Sequence, residues 1–359
     1  MSGLELTDVR LRLGRNEILR GVDLAVAAGE TLVLFGPSGV GKTMLLRAIA
    51  GVEPAASGSV RIGGQEVGGL DPEHRPLGMA FQNFALYPHF PAFENIASPL
   101  RARGLGESEI AARVDKVATL LRIGHVLGHM PKELSNGQKQ RTALARALVA
   151  EPPVLLLDDP LRNVDAKLRY EMRLELPPLL RRTRAAVIFV TQDFREAMAL
   201  GDRVAVLREG AIEQQAPPDV LYAAPASVPI ARLFGDPPMN LLSARQDAEG
   251  IAAVGMHFAF PDLKIVPDKA LLGIRPEDIL LARSGAAGRV PAEVMAVTPL
   301  HERLVVLLRV AGVEIVASTP ASAMPPGGDV HLAGARRALL FDGVSGRLQT
   351  ASAEAELVA

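Results

Sequence analysis

The stretch TLVLFGPSGVGKTMLLRAIA occupies residues 31–50 and contains three patterns in succession. Thr31–Phe35 is a short apolar run that predicts a buried strand, residues 36–41 form a glycine-punctuated loop, and Lys42–Ala50 has the composition of a helix. This order and the spacing GxxxxGKT match a phosphate-binding loop. A glycine turn that merely caps a helix is the simpler alternative, but the strand–loop–helix context favours the phosphate site.

Each part of this loop has a chemical use toward a nucleotide. Glycines let backbone N–H groups turn toward phosphate oxygens, and the helix N-terminus adds its positive end. Lys42 would neutralise the β- and γ-phosphates, and the Thr43 hydroxyl would bind Mg²⁺. The predicted ATP contacts of this loop are Gly36, Pro37, Ser38, Gly39, Val40, Gly41, Lys42, Thr43 and Met44.

A second motif supports a nucleotide site. The run VLLLD places Asp158 at the end of an apolar strand, which is the usual place for a carboxylate that holds Mg²⁺ beside the phosphate loop. Together the two motifs predict a P-loop nucleotide hydrolase. They leave open a small-molecule kinase and a GTPase, because both classes share them.

The length and texture of the chain predict two domains. The 359 residues are 48% hydrophobic and 22% charged, which is typical of a globular protein with a sizeable core. Apolar runs at 154–157 and 185–190 alternate with helical stretches in the first half, which indicates an α/β architecture. After Asp236 short β-rich runs such as 303–310 and 313–318 indicate a small β-barrel. We place the boundary between residues 235 and 236.

Charge and composition exclude several partners. A net charge of −1 and a pI near 6.7 give no general attraction for nucleic acid, so none is expected as a partner. The chain has no cysteine, which fits a reducing compartment. It starts with no signal-peptide pattern and has no apolar stretch long enough to span a bilayer, so any membrane association would come through a partner.

The segment between the two nucleotide motifs resembles one family of P-loop proteins. Residues 134–138, LSNGQ, followed by KQRTALARAL, resemble the signature of ABC ATPases, which kinases and GTPases lack. The resemblance implies an ABC nucleotide-binding domain with a helical subdomain at about 90–150. It also implies that Ser135, Asn136, Gly137 and Gln138 contact ATP held by a second, facing motor domain.

Three further segments match the same family. Gln82 in MAFQNFALYPHF resembles the Q-loop glutamine, which the family uses to contact Mg²⁺ and the attacking water while its neighbours receive a membrane subunit. Residues 162–165, RNVD, resemble the D-loop, and the VTQ at 190–192 resembles the switch strand. The resemblance therefore implies Mg²⁺ ligands Thr43, Gln82 and Asp158.

Beyond residue 235 the resemblance narrows to importers. LFGDPPMNLL and the GIRPED at 273–278 are similar to the OB-like, TOBE-type domain of maltose and glycerol-phosphate importer ATPases, and NIASPLRARG and YEMRLELPPLL are similar to glycerol importer ATPases. The implied partners are transmembrane permease subunits and, indirectly, a periplasmic solute-binding protein. The implied location is peripheral, at the cytoplasmic face of the inner membrane, and the implied solute is a sugar, polyol or glycerol-type compound.

The chain departs from the family pattern at both catalytic positions. Asp159 stands where the family places Glu, and because Asp is one methylene shorter, the attacking water would be less well positioned. Gln192 stands where the family places His, so it can donate a hydrogen bond but cannot become a cation. With Gln82, these are the predicted catalytic residues, and we expect slow hydrolysis at this site.

Two departures affect nucleotide binding. Leu13 occupies the place of an aromatic residue that stacks on adenine, and leucine offers no π-face. Asn136 replaces a signature glycine; asparagine tolerates a positive φ, although its side chain would crowd the γ-phosphate. Outside the site, the pair Pro177–Pro178 predicts the end or a kink of a helix.

The substituted catalytic positions lead to a prediction about assembly. A homodimer would carry Asp159 and Gln192 at both sites, so we expect a heterodimer with a second, standard ABC ATPase and one degenerate site. A symmetric dimer in which Asp159 works adequately is the alternative. A regulatory subunit with negligible hydrolysis and a non-transport ABC ATPase also remain open.

Overall fold

A computed structural model describes residues 2–248, 250–261, 263, 266–283, 290–300, 302–323 and 330–351. The chain divides into two compact units, Met1–Asp219 and Val220–Ala359. The predicted domain boundary after residue 235 remains a prediction. No helix among the described residues combines the length and apolar character needed to cross a bilayer.

The strands and helices are numbered in chain order. The strands are β1 Ser2–Leu13, β2 Asn16–Ala27, β3 Thr31–Phe35, β4 Ser57–Ile62, β5 Gln65–Glu66, β6 Leu77–Ala80, β7 Val154–Asp158, β8 Ala186–Thr191, β9 Arg203–Arg208, β10 Ala211–Ala216, β11 Asn240–Asp247, β12 Gly250–Ala253, β13 Met256–Phe258, β14 Ala270–Ile274, β15 Ile279–Arg283, β16 Val290–Leu300, β17 Arg303–Val310, β18 Val313–Pro320, β19 Val330–Ala335, β20 Leu339–Asp342 and β21 Leu348–Ala351. The helices are α1 Lys42–Ala50, α2 Ala92–Ala102, α3 Glu107–Leu120, α4 Asn136–Leu148, α5 Ala166–Thr183, α6 Phe194–Leu200, α7 Pro218–Ala223 and α8 Val228–Leu233.

The centre of the first unit is a six-stranded sheet in the order β10-β9-β3-β8-β7-β6. Neighbours from β9 to β6 pair in parallel, and β10 returns antiparallel to β9. Every residue of β3, β7 and β8 is buried, as expected for strands covered on both faces. The α/β architecture and the three predicted apolar strands are confirmed.

A second, antiparallel sheet in the order β2-β1-β4-β5 completes the core of this unit. Its buried leucines and valines form one cluster with α1 and with one face of the parallel sheet. Leu45 and Ile49 of α1 are fully buried in this cluster. The helix that begins at Lys42 is therefore fixed by packing on its buried side.

The predicted helical subdomain is present as α2, α3 and α4. Asn95 of α2 is fully buried and holds the preceding loop: its Oδ1 accepts from the Tyr87 N–H at 2.7 Å, and its Nδ2 donates to the Phe90 carbonyl at 2.8 Å. Helix α4 lies close to β6, where a Cβ added to Gly78 would meet the Ala147 carbonyl oxygen at 2.2 Å. The approach of α4 to the sheet therefore requires glycine at residue 78.

The second unit is rich in antiparallel strands. One sheet has the order β13-β12-β11-β14-β20-β21, the other has the order β15-β19-β16-β17-β18, and residues of both form one apolar cluster. Asn240 ties the sheets together, because its Nδ2 donates to the carbonyls of Ile274 and Val316 and its Oδ1 accepts from the Val316 N–H. The predicted β-rich C-terminal domain is confirmed.

The arginine of the GIRPED motif has a structural role in this second unit. Arg275 is only 6% exposed, and its guanidinium donates to the carbonyls of Ala231, Phe234 and Tyr222. It also lies 3.9 Å from the centroid of the Tyr222 ring. The motif therefore fastens the segment around α7 and α8 to the strands of the same unit.

Pro177–Pro178 do not end a helix, because α5 continues through both residues to Thr183, and a kink at this pair remains a prediction. Each proline removes an N–H that would bond the carbonyl four residues earlier, at Arg173 or Leu174. Leu174 is 62% exposed, so α5 is open to solvent at this residue.

Candidate nucleotide site

The predicted site residues converge at one edge of the parallel sheet. The phosphate loop follows β3, Gln82 follows β6, and Gln192 follows β8. Asp158 is the last residue of β7, and Asp159 is the next residue in the chain. Because these strands are parallel, their carboxyl ends meet at the same edge, where open α/β sheets bind ligands.

These residues surround a cavity of about 270 Å³. Its lining consists of Ile18, Ser38, Gly39, Gly41, Lys42, Thr43, Met44, Gln82, Asp158, Asp159, Arg162, Val190 and Gln192. All three predicted catalytic residues and all three predicted Mg²⁺ ligands are in this lining. Polar and charged groups thus dominate a site that the sequence assigned to a phosphorylated ligand.

The phosphate loop requires glycine at its bends. Gly39 has a φ of 80° and Gly41 has a φ of 108°. Residues with a Cβ rarely adopt these backbone conformations. The loop places Lys42 so that its Nζ donates to the carbonyls of Gly36 and Pro37, each at 2.7 Å. Burial lowers the pKa of Lys42, while the neighbouring carboxylates raise it.

Thr43 and Asp158 form the part of the site suited to a metal. The Thr43 hydroxyl donates to Asp158 Oδ1 at 3.0 Å, and Asp158 is only 4% exposed. Burial raises the pKa of Asp158, and the Thr43 hydrogen bond opposes that shift. Hydroxyl and carboxylate oxygens are ligands that Mg²⁺ accepts, and a bound cation would favour the ionised carboxylate. The residues present therefore fit Mg²⁺.

Asp159 lies in a strained turn beyond β7. Its φ is 46°, and its N–H donates to the Val190 carbonyl of β8 at 3.0 Å. The carboxylate is 12% exposed, and Arg162 Nη1 lies 3.7 Å from its Oδ2. Burial raises the pKa of Asp159, and Arg162 lowers it. The backbone thus aims a short carboxylate into the cavity.

Gln82 is held from two directions. Its backbone carbonyl accepts from Asn163 Nδ2 at 2.9 Å. With the carboxamide oriented so that its oxygen faces Arg162, that oxygen accepts from Nη1 at 3.1 Å and Nε at 3.3 Å. The loop after Gln82 is fixed by Arg146 of α4, which donates to the carbonyls of Phe84 and Ala85.

The signature residues stand at the N-terminus of α4. Ser135 caps the helix: its Oγ accepts from the Gln138 N–H at 3.3 Å, and its N–H donates to Gln138 Oε1 at 2.9 Å. None of residues 135–138 is among the described residues that line the cavity. A role toward the ATP of a facing subunit remains a prediction.

The structure corrects one argument about Asn136. Asn136 is the first residue of α4 and has no positive φ, so the tolerance of asparagine for that conformation is not needed. The steric demand lies at Gly137, where an added Cβ would meet Leu168 Cδ2 at 2.4 Å. Leu13 is 45% exposed at the turn that ends β1 and does not belong to the described cavity lining, so its contact with adenine remains a prediction.

Two residues near the cavity escaped the sequence reasoning. Arg162 belongs to the segment that resembles the D-loop, and the signal for its role is a cation three residues after Asp159. Glu196 follows Gln192 by four residues in α6, is 2% exposed, and accepts from the Thr191 hydroxyl at 2.6 Å. Burial raises the pKa of Glu196 to about 7.

Family models match both parts of the chain. Residues 19–162 match the model of the ABC transporter family, and residues 272–341 match that of the TOBE domain. The first match contains the phosphate loop, Gln82, the signature and both aspartates of the site.

Named relatives match most of the chain. The sn-glycerol-3-phosphate import ATP-binding protein UgpC of Ralstonia nicotianae is 44% identical over 290 residues, covering 78% of this chain and 80% of the relative. The trehalose/maltose import ATP-binding protein MalK of Thermococcus litoralis is 42% identical over 343 residues, covering 89% and 91%.

A solved structure matches more than half of the chain. The dimeric post-hydrolysis state of the ATP-binding cassette MJ0796 bound to ADP and Pi has a TM-score of 0.54 and 29% identity. The match covers 60% of this chain and 98% of that one.

Proposed function

Because this chain belongs to the ATP-binding proteins of ABC transporters and is an ABC-type ATPase, we propose that it drives an importer of a sugar, polyol or glycerol-phosphate type of solute. The names of two relatives, one importing sn-glycerol-3-phosphate and the other trehalose and maltose, support this solute class. The match to a TOBE domain supports a chain organised like these relatives.

The Thr43–Asp158 pair beside Lys42 is the observation that carries the ATPase role. Mg-ATP, when bound, supplies a γ-phosphoryl group that can be transferred to water. Thr43, Asp158 and Gln82 would hold the metal, and the N–H groups of residues 39–44 and the Lys42 ammonium would hold the phosphates. Asp159 would orient the attacking water, and Gln192 would donate a hydrogen bond to the phosphate.

The rest of the machine lies in other subunits. The signature residues 135–138 would close on the ATP of a facing ATPase subunit, and permease subunits would dock on the loop after Gln82. Closure on ATP would then shift the permease between its inward- and outward-facing states. In this proposal the chain works at the inner face of the cytoplasmic membrane, and the solute-binding protein acts only through the permease.

For the ATPase pair itself we propose a heterodimer of this chain with a second ATPase. Asp159 and Gln192 are the observations in its favour, because they would impair this chain's own site. The named relatives point to no second ATPase. The subunit composition of complex purified from its native membrane separates the two assemblies: two copies of this chain and no other ATPase would exclude the heterodimer.

ATP turnover tests the function itself. It should be measured for the isolated chain and for the complex in proteoliposomes, with a Lys42→Ala variant as the inactive control. We expect the complex to hydrolyse ATP faster when a solute-binding protein loaded with glycerol-3-phosphate or maltose is present. A chain that binds no ATP, or that co-purifies with no permease, would contradict the proposal.

A further inference from the structure

Arg162 places a second cationic side chain inside the nucleotide cavity. It lies in the turn between β7 and α5, and its side chain is 48% exposed. Among the described lining residues, Lys42 and Arg162 carry positive charge, and Asp158 and Asp159 carry negative charge. A Mg²⁺ ion held by Thr43 and Asp158 would add positive charge at the metal site, whereas Arg162 adds a cation beside Asp159 and Gln82.

The guanidinium of Arg162 lies between two residues that handle the predicted attacking water. Its Nη1 is 3.7 Å from Asp159 Oδ2, which is longer than a hydrogen bond. It is within 3.1 Å of the Gln82 side-chain oxygen in the orientation given above. Because the ion pair is long and Arg162 is half-exposed, the guanidinium can leave Asp159 at little cost when a stronger anion enters.

Lys42 is the other cationic side chain among the described residues that line the cavity. Its Nζ already donates to two loop carbonyls, and Gln192 offers no positive charge at the switch position. A guanidinium presents a planar fork of donors that matches phosphate oxygens and keeps its charge at any physiological pH. Arginine supplied within the same chain serves this purpose in other phosphoryl-transfer enzymes.

We propose that Arg162 binds the γ-phosphate of ATP held in its own chain and supplies the positive charge that Gln192 cannot provide. This inference rests on the proposed ATPase function. It also bears on assembly, because a symmetric dimer would then carry a compensating cation at both sites, and the argument for a second ATPase would rest on Asp159 alone.

Nucleotide affinity tests the inference without requiring turnover. The isolated chain is titrated with the fluorescent analogues MANT-AMPPNP and MANT-ADP in the presence of Mg²⁺. For Arg162→Ser we expect the Kd of MANT-AMPPNP to rise by about 10-fold and that of MANT-ADP by less than about 2-fold, because only the triphosphate reaches the guanidinium. Arg162→Lys should show an intermediate loss, because it keeps the charge but not the fork.

A double variant tests whether Arg162 replaces the missing histidine. Adding Gln192→His to Arg162→Ser should return the MANT-AMPPNP Kd to within about 3-fold of the parent at pH 6, where histidine is largely protonated, and less at pH 8. Gln192→His alone is measured alongside as the reference for the double variant. Arg182→Ser, an exposed change in the last turn of α5, is the matched control and should leave both Kd values unchanged.

Three results would overturn the inference. An equal loss of affinity for both analogues would give Arg162 a structural role. If Arg162→Ser leaves the affinity for MANT-AMPPNP unchanged but speeds turnover in the complex, Arg162 restrains Asp159 and does not bind the γ-phosphate. If Gln192→His does not restore the MANT-AMPPNP affinity of Arg162→Ser at pH 6, Arg162 does not supply the charge that is missing at position 192. If the parent chain binds neither analogue, the proposed ATPase function itself fails, which is a different outcome.

Discussion

Thr43 Oγ1 donates a hydrogen bond of 3.0 Å to Asp158 Oδ1, although the two residues are 115 positions apart in the chain. The contact joins the first turn of α1 to the end of β7. Burial raises the pKa of Asp158, so a buried carboxylate in this place needs a cation to be stable in its ionised form.

Asp158→Asn should remove the metal dependence of nucleotide binding. For the parent chain we expect MANT-AMPPNP to bind more tightly with Mg²⁺ than with EDTA. In the variant this gain should fall by about 10- to 100-fold, because an amide oxygen is a weaker ligand than a carboxylate. Asp115→Asn, an exposed change on α3, is the control. An undiminished Mg²⁺ effect in Asp158→Asn would remove this residue from the metal site.

Asp159→Glu should increase ATP turnover by the isolated chain, where no second ATPase supplies a competent site. The extra methylene extends the carboxylate toward the attacking water, and misplacement of a catalytic group can cost on the order of 100-fold in rate. We expect a rise of about 10-fold or more in kcat from Asp159→Glu, with little further gain from adding Gln192→His. Unchanged kcat in both variants would show that Asp159 has adequate reach. In that case the argument for a second ATPase would lose its basis.

Gly78→Ala should destabilise the first unit. The added Cβ would lie 2.2 Å from the Ala147 carbonyl oxygen, which is a backbone atom of α4 that cannot rotate away. We expect a loss of about 3 kcal/mol in the free energy of unfolding, measured with urea. Gly128→Ala is the control, since an added Cβ there meets nothing within 4 Å. Equal stability of the two variants would contradict the close approach of α4 to β6.

The stability of the protein should depend on pH through Glu196. Burial raises its pKa from 4.5 to about 7 in the folded chain, so the folded state holds this proton more tightly than the unfolded state. The free energy of unfolding should therefore fall as pH rises from about 4.5 to about 7, by about 3 kcal/mol at most.

Glu196→Gln should remove this dependence and keep an acceptor for the Thr191 hydroxyl. The Tm of the variant minus that of the parent should be near zero at pH 5 and several degrees positive at pH 8, measured by differential scanning calorimetry. Glu171→Gln, an exposed change on α5, should show no such trend. A constant Tm difference across this range would mean that Glu196 is ionised throughout.

Much of the fold was predictable because local patterns and packing agree. Strand β3 and helix α1 have the bounds that the apolar run and the glycine loop indicated. The prolines at 177 and 178 misled because helix length is decided by tertiary burial: Leu176 and Leu179, on either side, are buried.

The site was predictable as a set of motifs but not as a set of contacts. The spacing of the phosphate loop determines where Lys42 and Thr43 stand, because the backbone itself makes the site. A cation three residues after Asp159 is visible in the sequence, but its place beside Gln82 depends on the left-handed turn at Asp159 and on the pairing of β6 with β7. The tolerance of asparagine for a positive φ is not used at Asn136, because this residue is the first of α4 and follows the N-cap Ser135.

Helix α4 connects the signature residues with the loop that follows Gln82. Its first turn carries the signature residues, and Arg146 near its other end grips the carbonyls of Phe84 and Ala85. Thirteen helical residues form a rod about 20 Å long that does not stretch. A permease that displaces the loop at 84–85 would thus also displace the signature. Because coupling between two binding sites is reciprocal, a nucleotide bound at the signature would favour the matching permease conformation by the same free energy.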